Sequence, residues 1–172
     1  FASFNDIADL ESSLLAACEQ AKFAGYKKQE ESKLAPVPIV DEEVQPVYTL
    51  DPRAVSIDEK VRILTHYNDL ILGYNPAIAA VNIVYIEKVT DLYFANSEGT
   101  YIKQEKLDIG ADFGATARRD EVTTQQFVGR GSSIGFDCIL GIDDDIKQAC
   151  QLAVDSLDAQ QVQAGVYTTI CD

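Results

Sequence analysis

Leu107-Asp108-Ile109-Gly110-Ala111-Asp112-Phe113-Gly114-Ala115-Thr116-Ala117-Arg118 is the stretch that decides the fold. Apolar and polar or small residues alternate through it without interruption, which is the period of a strand with one face on a core and the other exposed. A helix would need apolar residues at steps of three and four. Gly110 and Gly114 fall on the polar face, where glycine marks a bulge, a bend or the close approach of another backbone.

Upstream, Val81 to Val89 is rich in β-branched residues, and Leu92 and Phe94 alternate with Asp91 and Tyr93. Asn96-Ser97-Glu98-Gly99 then carries the chemistry of a type I turn between antiparallel strands. Downstream, Arg119-Asp120-Glu121 makes a second turn and Val122 to Arg130 returns, with Val122 and Val128 on one side and Phe127 on the other. The spacing therefore predicts an antiparallel β-meander over 79–137.

Helical periods flank it. Ile7, Leu10, Leu14, Cys18 and Ala21 recur on one face, with Asn5 or Asp6 as cap and Gly25 as a left-handed stop, which predicts a helix over 1–25. Ser56-x-x-Glu59 is a capping box, and Ile57, Val61, Leu64, Ile71 and Leu72 mark a helix over 56–74. The acidic start Asp143-Asp144-Asp145 suits the helix dipole, and Ile146, Ala149, Cys150, Ala153 and Leu157 share a face over 143–160. Residues 26–54 contain Lys27-Lys28-Gln29-Glu30-Glu31 and four prolines at 36, 38, 46 and 52, so they read as an extended crossing segment. Val37, Ile39, Val44, Val47 and Leu50 suggest that it packs across the body. Val166 to Cys171 reads as a last β-like stretch. The fold class is α+β, with an antiparallel sheet flanked by amphipathic helices.

With 172 residues, 47% hydrophobic, the chain is long enough to bury a core without disulfides or metal. A formal charge of −14 repels nucleic acid and anionic membrane surfaces, so neither is an expected partner. No stretch is apolar enough to span a bilayer. Cys18, Cys138, Cys150 and Cys171 form no C-x-x-C pair; Cys18 and Cys150 fall on helix faces as small hydrophobes, in keeping with a reducing cytoplasm. The chain begins at Phe1 and contains no methionine, which reads as a processed, truncated or incompletely recorded chain.

Motifs of chemistry fail on inspection. Gly129-Arg130-Gly131-Ser132-Ser133-Ile134-Gly135 has the spacing G-x-G-x-x-x-G, opens no helix and has no acidic ribose partner. Asp143-Asp144-Asp145 lacks the alternating ligands of a calcium loop. Ser132 and Ser133 have no nucleophile elbow, and His66, the single histidine, would have to be recruited from an unrelated helix. His66 also has no partner at i+4 for a metal pair and reads as a surface or boundary residue.

The order of the pieces nonetheless resembles a known family. Phe1-Ala2-Ser3-Phe4-Asn5-Asp6, Val47-Tyr48-Thr49-Leu50-Asp51-Pro52, Ser56-Ile57-Asp58-Glu59-Lys60, Tyr93-Phe94-Ala95-Asn96-Ser97-Glu98-Gly99, the Gly129 to Phe136 loop and Gln163-Ala164-Gly165-Val166-Tyr167 are similar in order and spacing to the TldD/PmbA proteins. The resemblance covers almost the whole chain and leans toward TldD. It implies an amino-terminal α+β region over 1–165 and the start of a truncated carboxy-terminal metalloprotease domain over 166–172, with the family's first strands preceding Phe1.

The family was once labelled as modulators of DNA gyrase. The resemblance implies an intracellular, cytoplasmic zinc metalloprotease acting on peptides or unfolded segments, in which a catalytic TldD subunit pairs with a TldE (PmbA) subunit lacking the metal site, or a homo-oligomer forms. The family's His-Glu-x-x-x-His lies beyond Asp172, so no catalytic or metal residue is expected here, and any zinc belongs to the full-length protein. Asn96 and Gly99 are the expected structural turn. Gly129, Arg130 and Gly131 are the candidate substrate- or partner-facing loop.

Overall fold

The computed structural model describes residues 3, 5–28, 35–160 and 163–170. Gln29-Glu30-Glu31 of the charged run and Cys171 at the end of the last β-like stretch lie outside the described residues. The chain divides into two compact units, 1–38 and 39–172.

The first unit holds helix α1 (Leu10–Tyr26), entered through a 3-10 turn over Ile7–Asp9. Asp6 caps that turn, its carboxylate accepting from the Ala8 N–H at 3.0 Å. Gly25 is not the left-handed stop expected of it. The helix runs through it to Tyr26 and closes when the Lys27 N–H bonds to the Ala24 and Gly25 carbonyls with right-handed backbone. No residue of α1 is buried, so Cys18 is an exposed thiol and not a packed one.

The second unit is a four-stranded sheet with two helices on one face. Strand β3 (Tyr101–Arg119) is central. On one side it pairs along its length with β2 (Ile78–Ala95), antiparallel, across the turn at Asn96–Gly99. On its other side it pairs first with β1 (Asp41–Val44) over Tyr101–Gln104 and then with β4 (Val122–Ser132) over Ile109–Arg119. The β1 pairing is parallel, so the antiparallel meander expected from sequence is completed by a short parallel strand drawn from the crossing segment. Four residues with no proline, Asp41 to Val44, suffice for it.

Residues directly opposite in a ladder share a face. Leu107, Ile109, Ala111, Phe113, Ala115 and Ala117 all lie on the helical side and all are buried. Against them pack Tyr67 and Ile71 of α2 (Ile57–Leu72) and Ile146, Ala149, Cys150 and Ala153 of α3 (Asp143–Asp155), with Leu157 in the turn that follows. The Tyr67 ring meets Phe113 edge-on with centroids 5.2 Å apart, and its hydroxyl donates to the Ile139 carbonyl at 2.8 Å. Thr124 of β4 donates to the Ala153 carbonyl at 2.6 Å, tying α3 to the sheet.

The other face carries Val84, Ile86, Leu92, Phe94 and Phe127, each more than a third exposed. Gly114 lies there opposite Phe127, and a Cβ on it would stand 2.6 Å from the ring. The glycine is thus required by a close approach, as its place in the alternation implied. Of the residues expected to pack the crossing segment, Leu50 does lie against the core, joined by Tyr48 and by Val55 just beyond the segment, whereas Val37, Ile39, Val44 and Val47 are exposed. Residues 166–170 form no regular element.

Candidate functional site

Each place marked in the sequence has a definite setting. At the ribbon tip the Asn96 side-chain oxygen accepts from the Glu98 and Thr100 N–H groups, at 3.1 and 2.9 Å, while Gly99 takes φ +100°. That left-handed geometry is glycine's own region. Gly129, Arg130 and Gly131 are strand residues of β4, opposite Asp112, Ala111 and Gly110. The loop proper follows Ser132. Arg130 pairs with Asp145 in the first turn of α3, which also explains part of the acidic run there. The Ser132 hydroxyl accepts from the Ile134 and Gly135 N–H groups, both at 3.1 Å, and so serves a turn.

His66 is not solitary. Its Nε2 lies 2.7 Å from an Asp143 oxygen, linking α2 to the start of α3 and holding the Asp143 carboxyl below the usual range. With Asp143 it supplies only two donors. Among the described residues no group of three or more His, Cys, Asp or Glu is placed to hold a metal ion, so the residues present do not fit a catalytic metal. Burial pushes the Cys138 and Cys150 thiols up, which keeps them neutral and disfavours a thiolate nucleophile.

Two polar clusters escaped the sequence reading altogether. In the first, Arg53 makes paired bonds to both oxygens of Glu105 at 2.9 and 3.0 Å and a 2.7 Å bond to Asp51, while the Tyr48 hydroxyl donates to Glu105 at 2.6 Å. Glu105, accepting from both Arg53 and Tyr48, is held low, and the Tyr48 hydroxyl is pushed up to about 12 by that same carboxylate. In the second, Lys60, 7% exposed, donates to both oxygens of Glu87 at 2.7 and 2.8 Å, and Tyr85 adds a 2.6 Å bond. Burial works to raise Glu87, but the bonds from Lys60 and Tyr85 outweigh it and its carboxyl sits low. These clusters clasp the crossing segment and α2 to the sheet. The links that close them, Arg53 and Tyr48 to Glu105 and Lys60 to Glu87, join residues far apart in sequence, and no local spacing reveals them.

Two grooves remain. One, of about 320 Å³, is lined by Pro46, Val47, Gln104 to Asp108, Ser133 and Ile134, where β3 passes from its β1 ladder to its β4 ladder. The other, of about 380 Å³, lies between α2 and β2 and is lined by Val61, Leu64, Thr65, Asn68, Val81 and Ile83. Neither contains a nucleophile beside a base.

Residues 50–157, which hold both helices of the second unit, the ribbon, the Lys60 cluster and the Arg53 cluster apart from Tyr48, match the sequence profile described as the PmbA/TldA metallopeptidase central domain. The chain belongs to the PmbA/TldD metallopeptidase family. Along its whole length it is similar to a metalloprotease of Synechocystis sp., with 31% identity over 173 aligned residues, and it spans 37% of that relative's length. The family expected from the motifs is thereby established, the structure has the α+β fold expected with it, and the Lys60–Glu87 and Arg53–Glu105 pairs lie inside the matched segment. No helix among the described residues is long and apolar enough to cross a membrane.

Proposed function

We propose that this chain is a non-catalytic, amino-terminal portion of a TldD-like zinc metalloprotease subunit, cytoplasmic, acting on peptides or unfolded segments. It contributes walls of the substrate path and contacts to a TldE/PmbA-type partner. One observation carries the reading: a segment that matches a metallopeptidase central domain is built from grooves and clasped strands, with no three-donor metal group among its described residues. In this division of labour the zinc and its chemistry belong to the rest of the protein, and Gly129 to Gly131 with the loop after them face substrate or partner.

The alternative is a PmbA/TldE-like subunit or binding module that lacks the metal motif throughout. The same absence of a metal group suits it, and the sequence following this segment in the gene discriminates the two: His-Glu-x-x-x-His favours the protease. A role on DNA is opposed by the charge of −14.

The test is peptide hydrolysis by the full-length protein with its partner, compared with the 172-residue chain alone. The full-length protein should cleave and lose activity to a zinc chelator, while the chain alone neither cleaves nor retains zinc on dialysis. Chelator-sensitive cleavage by the chain alone would falsify the reading.

A further inference from the structure

We propose that Thr49 and Gly135 are positioning residues. They lock the loop between Ser132 and Phe136 onto the crossing segment, so that this wall of the substrate path is set before a peptide arrives. The ligand class rests on the peptide-handling reading above, whereas the lock stands on contacts within the chain.

Within the loop only the Ser132 hydroxyl is at work, accepting from the Ile134 and Gly135 N–H groups. The remaining bonds come from the crossing segment. The Thr49 N–H donates to the Ile134 carbonyl and the Phe136 N–H donates to the Leu50 carbonyl, both at 2.8 Å, so that Leu50 and Gly135 form a parallel bridge. The Thr49 hydroxyl donates to an Asp137 carboxylate oxygen, with the Ile134 carbonyl at 3.2 Å as a second acceptor. Every N–H from Ile134 to Phe136 is thereby engaged, which leaves the loop backbone one arrangement that satisfies it.

Gly135 shows how closely the two segments fit. Its backbone is extended, at φ 175°, which any residue adopts, so conformation does not call for glycine there. Space does. A Cβ at Gly135 would stand 2.8 Å from the Leu50 nitrogen and closer still to the Thr49 hydroxyl and the Asp137 carboxylate. Both partners of the lock are themselves anchored. Phe136 is 1% exposed and meets the Tyr85 ring edge-on with centroids 5.8 Å apart, while Tyr48 and Arg53 hold the crossing segment to Glu105 of β3.

The lock also sets a distance. Pro46 and Val47 of the crossing segment and Ser133 and Ile134 of the loop line the same groove beside β3, so fixing one segment to the other fixes its width. A wall ordered in advance takes up a peptide without the entropy loss of ordering the loop on binding. Loosening it weakens the ground state and the transition state alike, which raises KM and leaves kcat unchanged.

The experiment uses the full-length protein with its partner and, as an unfolded probe, reduced and carboxamidomethylated α-lactalbumin labelled with fluorescein. Cleavage rates, probe anisotropy and amide hydrogen exchange are read together. Thr49→Val, at an exposed position, keeps the β-branched shape and the backbone bonds but removes the hydroxyl. It should quicken exchange from Ile134 to Phe136 about fivefold and raise KM about fivefold, with kcat within about twofold of the unaltered protein. Thr49→Ser keeps the hydroxyl and should restore both. Gly135→Ala acts from the other side of the lock and should quicken exchange over the same residues and at Thr49, with KM raised at least as far. Should that variant fail to fold, the contrast between valine and serine at position 49 still decides. Unaltered exchange in Thr49→Val, an equal change in Thr49→Ser, a fall in kcat with KM unchanged, or loss of the partner with KM unchanged overturns the proposal. If the unaltered protein cleaves the probe and the exchange contrast is absent, the lock is wrong and the peptidase reading stands. If it cleaves nothing, yet the contrast holds and Thr49→Val weakens probe binding, the lock stands and the peptidase reading falls.

Discussion

Lys60 shows what a single residue contributes that no motif announces. It sits on α2 with an ion-paired ammonium 5.9 Å above the Phe136 ring and both Glu87 oxygens within hydrogen-bonding distance. Removing one partner of a buried pair leaves the other charge poorly solvated, and the Glu87 side chain at 35% exposure recovers only part of its hydration. Lys60→Ala should therefore cost about 2 kcal/mol, below the full penalty for a dry pair, measured by urea unfolding. Adding Glu87→Gln should return part of that loss, because a neutral amide can keep the Tyr85 bond without an orphaned charge. A double variant no better than Lys60→Ala would mean that the lysine acts through its stem packing alone.

Among the elements, the ribbon is held by its turn and α2 by its caps. Gly99 must adopt a positive φ for the strands to close, and an alanine there meets the penalty of left-handed backbone. Gly99→Ala should lower stability by about 1 kcal/mol and raise exchange at the ribbon tip before the core amides respond. Uniform acceleration across β3 would show instead that the turn governs the whole sheet. At the start of α2 the capping box is half formed: the Ser56 hydroxyl accepts from the Glu59 N–H at 3.2 Å, while the Glu59 side chain turns to Arg62 at 2.8 Å. The sequence pattern marked the helix start correctly, and the competing i,i+3 ion pair took the second bond.

For the whole molecule the carboxylates set the response to acid. Asp143 is held low by His66, Glu105 by Arg53 and Tyr48, and Glu87 by Lys60 and Tyr85 against its own burial. Each has a folded pKa below its unfolded value, so its contribution is present above the ordinary carboxylate range of about 4 and is lost as pH falls through the lower folded value. The urea midpoint should stay nearly level from about pH 7 to about pH 5 and decline below about pH 4, and Arg53→Ala should flatten part of that decline. A midpoint insensitive to acid would show that these pairs contribute nothing net.

The strand 107–117, its turn and the apolar faces of α2 and α3 were legible from sequence because a period of two or of 3.6 is a local property, enforced by which side of one element meets the core. Family membership followed from the order of short motifs, which is likewise local. Tertiary structure alone decided that β1 joins β3 in parallel, that α1 lacks a buried face, that β4 runs on past Arg130 to Ser132, and that Lys60 meets Glu87 and Arg53 meets Glu105. Those outcomes join residues distant along the chain, and their energies depend on what chain folding brings within a few ångströms, which no spacing along the sequence encodes.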